Sequence, residues 1–162
     1  KALLMLTTAG IKRDESVPIL AVVQDIILEY KTTFSQQVKF SVHIDSHVCL
    51  KGSETEIRNI LHTLIINACE ANSNNGEVTI KAQQADGKIK IEVIDQGEGL
   101  NEFIKEQLFQ PHISTKPEGA GMGLYIAQRV ARLHYQGEIT LKNREPTNGA
   151  IATVSLKQKA EK

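Results

Sequence analysis

The sequence predicts a two-layer α/β (α+β) sandwich, in which helices cover one face of a mixed, mostly antiparallel sheet. Its apolar residues follow the order helix, strand, helix, two strands, loop, helix, two strands. Two neighbouring strands are joined by Asp86-Gly87, which is a strong signal for an antiparallel hairpin. The chain has 162 residues, of which 41% are hydrophobic, and that is enough for one compact core.

The N-terminal third predicts two helical segments followed by one or two strands. Residues 1–8 look like the tail of a helix that begins upstream. Residues 17–34 carry apolar side chains at helical spacing, with Pro18 in the first turn. Residues 39–45 alternate as a half-buried strand does, and residues 48–50 predict a short second strand.

The middle of the chain predicts a long helix and a hairpin. Ser53 and Glu56 form a capping box, which begins a helix that runs to about Asn72. Residues 78–82 and 89–93 alternate between apolar and other side chains on the two sides of the Asp-Gly turn. These two segments are therefore predicted to pair.

The C-terminal part predicts glycine-rich loops and three further regular elements. After Asp95 the alternation of apolar residues ends, and the sequence predicts loops around a short helix at residues 102–109. A helix over about 122–134 and strands over 138–142 and 150–156 complete the predicted fold.

Charge, cysteine content and hydropathy limit the function. Lys+Arg and Asp+Glu both number 19, so no net field attracts nucleic acid or anionic lipid. Cys49 and Cys69 are typical of reduced thiols in a cytoplasmic protein. No apolar stretch is long enough to span a bilayer, and no secretory signal opens the chain. The first residue is Lys rather than Met, which indicates a piece of a larger protein.

Asn67 lies in an apolar part of the long helix, with Glu70 close by. Asparagine is a poor helix former and is costly to bury without a partner. Its carbonyl oxygen could bind a metal ion such as Mg²⁺, which prefers oxygen ligands. The alternative is a core asparagine whose hydrogen bonds are satisfied by a neighbouring loop.

The segment Asp95-Gln-Gly97-Glu-Gly99 directly follows a predicted buried strand. It places a carboxylate at the rim of the sheet, beside backbone that a flat ligand can approach closely. A carboxylate can accept a hydrogen bond from the exocyclic amine of adenine. The alternative is a glycine turn closed by the aspartate side chain.

Two further segments suggest phosphate binding. Gly119-Ala120-Gly121-Met122-Gly123-Leu124 opens a helix, where backbone amides and the helix dipole favour anions. The spacing fits neither a P-loop nor a Rossmann fingerprint, and the alternative is a flexible hinge. Just upstream, Ser114-Thr115-Lys116 places a lysine that could reach a terminal phosphate; the alternative is a solvated surface lysine.

Taken together, these segments resemble the N, G1, F and G2 boxes of the histidine-kinase ATPase domain, in the order of that family. The boxes correspond to residues 63–68, 95–99, 109–116 and 119–124, and the resemblance covers residues 35–156. It implies the Bergerat fold with bound ATP and Mg²⁺. The short loop around Phe-x-Pro-x-x-Ser-Thr-Lys is similar to that of the nitrogen-regulator and sporulation kinases.

The resemblance also assigns roles to residues. It implies that Asn67 binds Mg²⁺ and Asp95 reads adenine, while Lys116 steadies the γ-phosphate; Asn67 and Lys116 would be the catalytic residues. The other nucleotide contacts would be Glu70, Ala71, Gly97, Gly99, Ser114, Thr115, Gly119, Ala120, Gly121, Met122, Gly123 and Leu124. One departure is Thr63, where the family usually has Asn. Thr63 cannot act as a carboxylate base, so simple ATP hydrolysis is disfavoured.

The resemblance divides the chain into three parts and implies partners. Residues 1–34 would be the end of a dimerisation helix hairpin and a connecting helix, 35–158 the catalytic domain and 159–162 a polar tail. No histidine is followed by the acidic residue and proline that mark a phosphoacceptor helix. The expected partners are an acceptor-histidine domain of the same parent protein, in cis or in trans within a homodimer, and the receiver domain of a response regulator. No nucleic acid and no direct membrane contact are expected, although the parent could be membrane-anchored.

Two alternative functions remain open at this point. One is a nucleotide-sensing module that binds ATP without transferring phosphate, and Thr63 is the residue that supports it. The other is a protein serine kinase of the same superfamily. Residues 1–34 favour a multidomain sensor over that kinase.

Overall fold

The structure is a computed structural model that describes residues 12–34, 38–72, 76–97, 123–144 and 147–157. Its elements, in chain order, are β1 (Glu15–Pro18), α1 (Ile19–Thr33), β2 (Lys39–His43), β3 (Cys49–Gly52), α2 (Glu54–Ala71), β4 (Glu77–Ala85), β5 (Lys88–Ile94), α3 (Gly123–Tyr135), β6 (Glu138–Asn143) and β7 (Ala150–Lys157). The helices predicted at residues 1–8 and 102–109 lie outside the described residues.

The main sheet has five strands in the order β2-β4-β5-β7-β6. Of the described strands in this sheet, β2 and β4 pair in parallel and the other neighbours pair antiparallel. Asp86 and Gly87 both have positive φ in the two-residue turn between β4 and β5, as a tight hairpin requires. The mixed, mostly antiparallel sheet and its central hairpin are therefore confirmed.

One face of the sheet is apolar because alternate residues on neighbouring strands point the same way. Ile80 pairs with Val93, and Ile91 pairs with Val154; all four are at most 1% exposed. The three helices contribute the buried side chains that complete this core, including Ile26 of α1, Leu61 of α2 and Val130 of α3. The two-layer sandwich is confirmed.

The first strand was not predicted. Val17 and Pro18 were expected in the first turn of a helix, but they end β1, which pairs antiparallel with β3. Pairing with a distant segment outweighed the local helical pattern. Proline fits the end of this strand because it lacks an N–H, and helix α1 begins one residue later.

A side-chain amide fastens this small β1–β3 sheet to the main sheet. Gln84 of β4 accepts a hydrogen bond from the Cys49 N–H through Oε1 (3.3 Å) and donates one to the Cys49 carbonyl through Nε2 (3.1 Å). The side chain therefore satisfies both main-chain groups of Cys49 as a neighbouring strand would.

Helix α2 begins at the predicted cap, but the capping box has an unexpected partner. The Ser53 hydroxyl accepts a hydrogen bond from the Glu56 N–H (3.3 Å). The return bond expected from Glu56 is absent, because the Ser53 N–H donates to the hydroxyl of Tyr135 at 2.9 Å. Tyr135 ends α3, so the start of α2 is joined to the end of α3.

Among the described residues, no helix is both long and apolar enough to cross a membrane.

Candidate functional site

One face of α2 carries three residues that organise the candidate site. Thr63, Asn67 and Ala71 are spaced by four positions, so they form one row along the helix. The two ends of this row contact different parts of the chain, and Asn67 lies one helical turn from each end.

At the C-terminal end of the row, Ala71 contacts the segment that follows β5. A Cβ added to Gly97 would lie 2.2 Å from the Ala71 carbonyl oxygen, so only glycine fits there. Asn72 strengthens this contact, because its Oδ1 accepts a hydrogen bond from the Gln96 N–H at 2.7 Å. Gln96 and Gly97 of the predicted G1 segment therefore lie directly against the end of α2.

At the other end of the row, Thr63 contacts the start of α3. A Cβ added to Gly123 would lie 3.3 Å from the Thr63 Cγ2. The same two residues line a narrow cleft between α2 and α3. The first turn of α3, whose backbone amides have no partner within the helix, thus lies beside the Asn67 row.

Asp95 is 6% exposed, and the main chain around it holds its side chain in place. Oδ1 accepts hydrogen bonds from the Gly97 N–H and the Ala150 N–H, both at 3.0 Å. The Asp95 N–H donates to the Ala150 carbonyl at 3.0 Å. The bond to Gly97 is the turn that the sequence left as an alternative. Among the described residues, no hydrogen bond is made to Oδ2.

The turn between β6 and β7 also contacts Asp95, and sequence reasoning missed it. Arg144 Nη1 donates to the Asp95 carbonyl oxygen at 3.0 Å. A Cβ on Gly149, whose φ is +123°, would lie 2.1 Å from that same oxygen. In the sequence, residues 147–149 have the composition of a turn, but that composition does not indicate which distant residue the turn contacts.

The other predicted residues within the described range differ in exposure. Asn67 is partly buried, and its side-chain amide has no hydrogen-bond partner within the described parts of the chain. Glu70 and Ala71 are exposed at the end of α2. Leu124 is 4% exposed and packs in the core, so it can offer a ligand only its backbone.

Several predicted contacts lie outside the described residues, so their placement stays a prediction. They are Gly99, Ser114, Thr115, Lys116, Gly119, Ala120, Gly121 and Met122.

The donor set in this region suits a magnesium ion better than a metal held by a protein cage. No group of three His, Cys, Asp or Glu side chains that could hold a metal occurs in the part of the chain that is described. Mg²⁺ usually keeps several waters and takes oxygens from substrate phosphates, so it needs few protein ligands. The amide oxygen of Asn67, which accepts no hydrogen bond from the described residues, fits that requirement.

Comparison with known proteins points to one family. The family model described as "Histidine kinase-, DNA gyrase B-, and HSP90-like ATPase" matches residues 52–160. Sporulation kinase D of Bacillus subtilis (strain 168) is 25% identical over 138 residues, which are 85% of this chain and 27% of that protein. The signal transduction histidine-protein kinase AtoS of Escherichia coli (strain K12) is 29% identical over 145 residues, 88% of this chain and 24% of that protein. The chain thus spans about a quarter of the length of these relatives.

Solved structures share the fold. The nucleotide-free catalytic domain of histidine kinase ThkA matches with a TM-score of 0.79 at 23% identity, over 89% of this chain and 95% of that one. ThkA in complex with the response regulator protein TrrA matches with a TM-score of 0.75 at 22% identity, over 90% of this chain and 42% of that one. These matches confirm the predicted Bergerat fold.

Proposed function

Because the chain belongs to the histidine kinase-, DNA gyrase B- and HSP90-like ATPase family, we propose that it is the ATP-binding catalytic domain of a sensor histidine kinase. In this role it transfers the γ-phosphoryl group of ATP to a histidine on a separate dimerisation domain. The observation that carries the proposal is the row Thr63, Asn67 and Ala71, in which Asn67 lies one helical turn from the residue that contacts Gly97 and one turn from the residue that contacts Gly123.

Different residues of the site would bind different parts of the nucleotide. Asp95 Oδ2 would accept a hydrogen bond from the exocyclic amine of adenine, because Oδ1 already accepts hydrogen bonds from two main-chain amides. Gly97 has no side chain, so the base can lie close to the backbone. The backbone amides at the start of α3, which have no partner within the helix, favour the negative charge of the phosphates.

The Asn67 oxygen would be the protein ligand of Mg²⁺, which when bound neutralises charge on the phosphates. Phosphoryl transfer asks little covalent chemistry of the protein, so positioning the nucleotide is its main contribution. Lys116 would steady the γ-phosphate, and the acceptor imidazole comes from another domain. Thr63 offers no carboxylate to activate water, which favours transfer over hydrolysis.

The partners follow from the same proposal. The acceptor domain would belong to the same parent protein, and the phosphoryl group would pass on to a response regulator. The complex of the relative ThkA with its response regulator supports this kind of partner. A cytoplasmic location follows, since both partners and ATP are found there.

A nucleotide titration tests the assignment of the site. Asp95→Asn should remove the preference for adenine, whereas Asn67→Ala should remove mainly the magnesium-dependent part of ATP affinity. Matched controls are Asp86→Asn in the hairpin turn and Gln83→Ala, at an exposed side chain of β4. Unchanged ATP affinity in both site variants would show that the two assignments are wrong.

A transfer assay separates the three candidate functions. Labelled ATP is supplied together with the acceptor-helix domain of the parent protein. Acid-labile label on histidine supports the kinase proposed above, and acid-stable label on serine supports a protein serine kinase. Tight nucleotide binding without any transferred label supports a sensing module.

A further inference from the structure

We propose that Arg144, directly after β6, is a positioning residue for Asp95, and that it acts together with Gly149 and Ala150 at the start of β7 to orient the carboxylate that recognises adenine. This inference rests on the proposed function, because it concerns the same carboxylate. It adds a residue from a distant part of the chain, 49 positions from Asp95, which has no place in the sequence motifs.

The first step is the number of bonds that the turn makes to Asp95. The Asp95 N–H donates to the Ala150 carbonyl, and Oδ1 accepts from the Ala150 N–H. The Asp95 carbonyl accepts from Arg144 Nη1. Thus three of the four hydrogen bonds that hold Asp95, within the described residues, come from the two ends of one turn, and the fourth comes from Gly97.

The second step is that the turn itself is closed. The Arg144 N–H donates to the Gly149 carbonyl at 2.9 Å, so the main chain from which the arginine side chain extends is fixed. Gly149 has a φ of +123° and lets its backbone approach the Asp95 carbonyl oxygen more closely than any side chain would permit. Arg144 is partly buried, so its guanidinium is held against that oxygen rather than free in solvent.

The third step connects these contacts to base recognition. Arg144 provides the one side-chain bond to Asp95 among the described residues, and it fixes the main chain at the end of β5. The direction of Oδ2 depends on that main chain, because Oδ1 is bonded to amides on both sides. Loss of the guanidinium should therefore weaken the hydrogen bond to the adenine amine, while contacts to ribose and phosphates remain.

The ratio of dissociation constants for inosine triphosphate and ATP isolates this bond. Inosine has a carbonyl where adenine has the exocyclic amine, so the ratio measures what the Asp95 carboxylate contributes. A hydrogen bond to a charged group contributes enough for a ratio of at least about tenfold in the unaltered chain. Arg144→Met should lower this ratio about threefold or more by weakening ATP alone, and Arg144→Lys, which keeps a donor, should restore part of it.

Controls separate positioning from general damage. Lys142→Met removes an exposed cation from β6 of the same hairpin and should leave the ratio unchanged. In an Asp95→Asn background, Arg144→Met should have no further effect on the ratio, because the two residues act as a unit. Circular dichroism and the thermal midpoint establish that each variant is folded.

Each outcome has a distinct meaning. Equal weakening of ATP and inosine triphosphate by Arg144→Met, or an undiminished effect in the Asp95→Asn background, would overturn the inference. If Asp95→Asn leaves the ratio of the unaltered chain unchanged, the assignment of Asp95 in the proposed function is wrong, and this inference falls with it. If Arg144→Met does not fold, Arg144→Lys and Arg144→Leu decide: a ratio that falls further in Arg144→Leu, which has no donor, than in Arg144→Lys supports the role of a donor, and an unchanged ratio in both contradicts it.

Discussion

Arg13 holds the carboxylate of Glu56 with two parallel hydrogen bonds, from Nε to Oε1 at 2.7 Å and from Nη2 to Oε2 at 2.8 Å. The Glu56 side chain is fully buried, whereas that of Arg13 is 22% exposed. The Tyr135 hydroxyl donates to Glu56 Oε1 at 2.8 Å, so three separate segments meet at one carboxylate. The hydrogen bond to Glu56 raises the pKa of Arg13 and keeps this guanidinium charged.

Arg13→Met should destabilise the fold by about 3 kcal/mol, because it leaves a buried carboxylate without its counter-ion. The free energy of unfolding from a urea titration measures the loss. Arg132→Met is the matched control, since Arg132 pairs with Glu138 on the surface and such pairs contribute about 0–1 kcal/mol. Equal losses of unfolding free energy in the two variants would show that the burial of Glu56 does not make its ion pair more important than the surface pair.

Tyr135→Phe should cost about 1–3 kcal/mol, because it leaves the buried Ser53 N–H without an acceptor. Thermal unfolding monitored by circular dichroism provides the measurement. Tyr125→Phe removes a hydroxyl from a partly exposed tyrosine on the same helix and should change little. A loss in Tyr135→Phe no greater than in this control would show that the bond from the Ser53 N–H to the Tyr135 hydroxyl does not stabilise the start of α2.

Stability should fall at alkaline pH, and Cys69 should account for part of the fall. Burial raises the pKa of the Cys69 thiol to about 12 from its usual value of 9.0. The unfolded chain loses this proton first, so the native state holds more protons between the two values. Stability from this group is complete below pH 9 and is lost as the pH rises towards 12.

Cys69→Ala should therefore lose less stability than the unaltered chain between pH 9 and 12. The slopes of unfolding free energy against pH should differ by up to about 1.4 kcal/mol per pH unit. Urea titrations at several pH values measure the slope. Cys49→Ala, which removes the less buried of the two thiols, is the matched control. Burial also raises the pKa of Tyr30 and of Tyr135, so part of the alkaline loss should persist in every cysteine variant.

Gly97→Ala should abolish or greatly weaken nucleotide binding, because its Cβ would lie 2.2 Å from the Ala71 carbonyl oxygen. Either α2 or the segment after β5 must shift, and both carry the proposed site. Gly87→Ala is the control: its φ of +74° makes alanine strained by about 1 kcal/mol, but open space surrounds it. ATP titrations should find Gly87→Ala close to the unaltered chain; an equal loss of affinity in both variants would refute this explanation.

The sequence was most informative where local chemistry and packing agree. The Ser53 cap, the long helix after it and the Asp86-Gly87 hairpin were predicted because each depends on residues close together in the chain. The row of Thr63, Asn67 and Ala71 could be predicted from helical spacing, but its contacts with Gly97 and Gly123 could not. The family motifs indicated that these residues share a site, and the fold brings them together.

The features that were missed all depend on contacts between distant segments. Strand β1 forms because residues 15–18 meet residues 49–52, which no local pattern encodes. Arg144 reaches Asp95 from another turn, and Tyr135 replaces the expected return bond of the capping box. The boundary between domains predicted at residue 34 stays a prediction, although α1 contributes Ile19, Val23 and Ile26 to the same core as α2 and α3.

The amide of Gln84 has a consequence for association between molecules. The outer side of β3 is the open edge of a two-stranded sheet, where unpaired main-chain groups would invite an extended segment of another molecule to add as a third strand. At Cys49 both groups are already taken by Gln84, so an incoming strand would first have to displace that side chain. A single glutamine thereby disfavours aggregation at an edge beside which the described parts of the chain place no further strand.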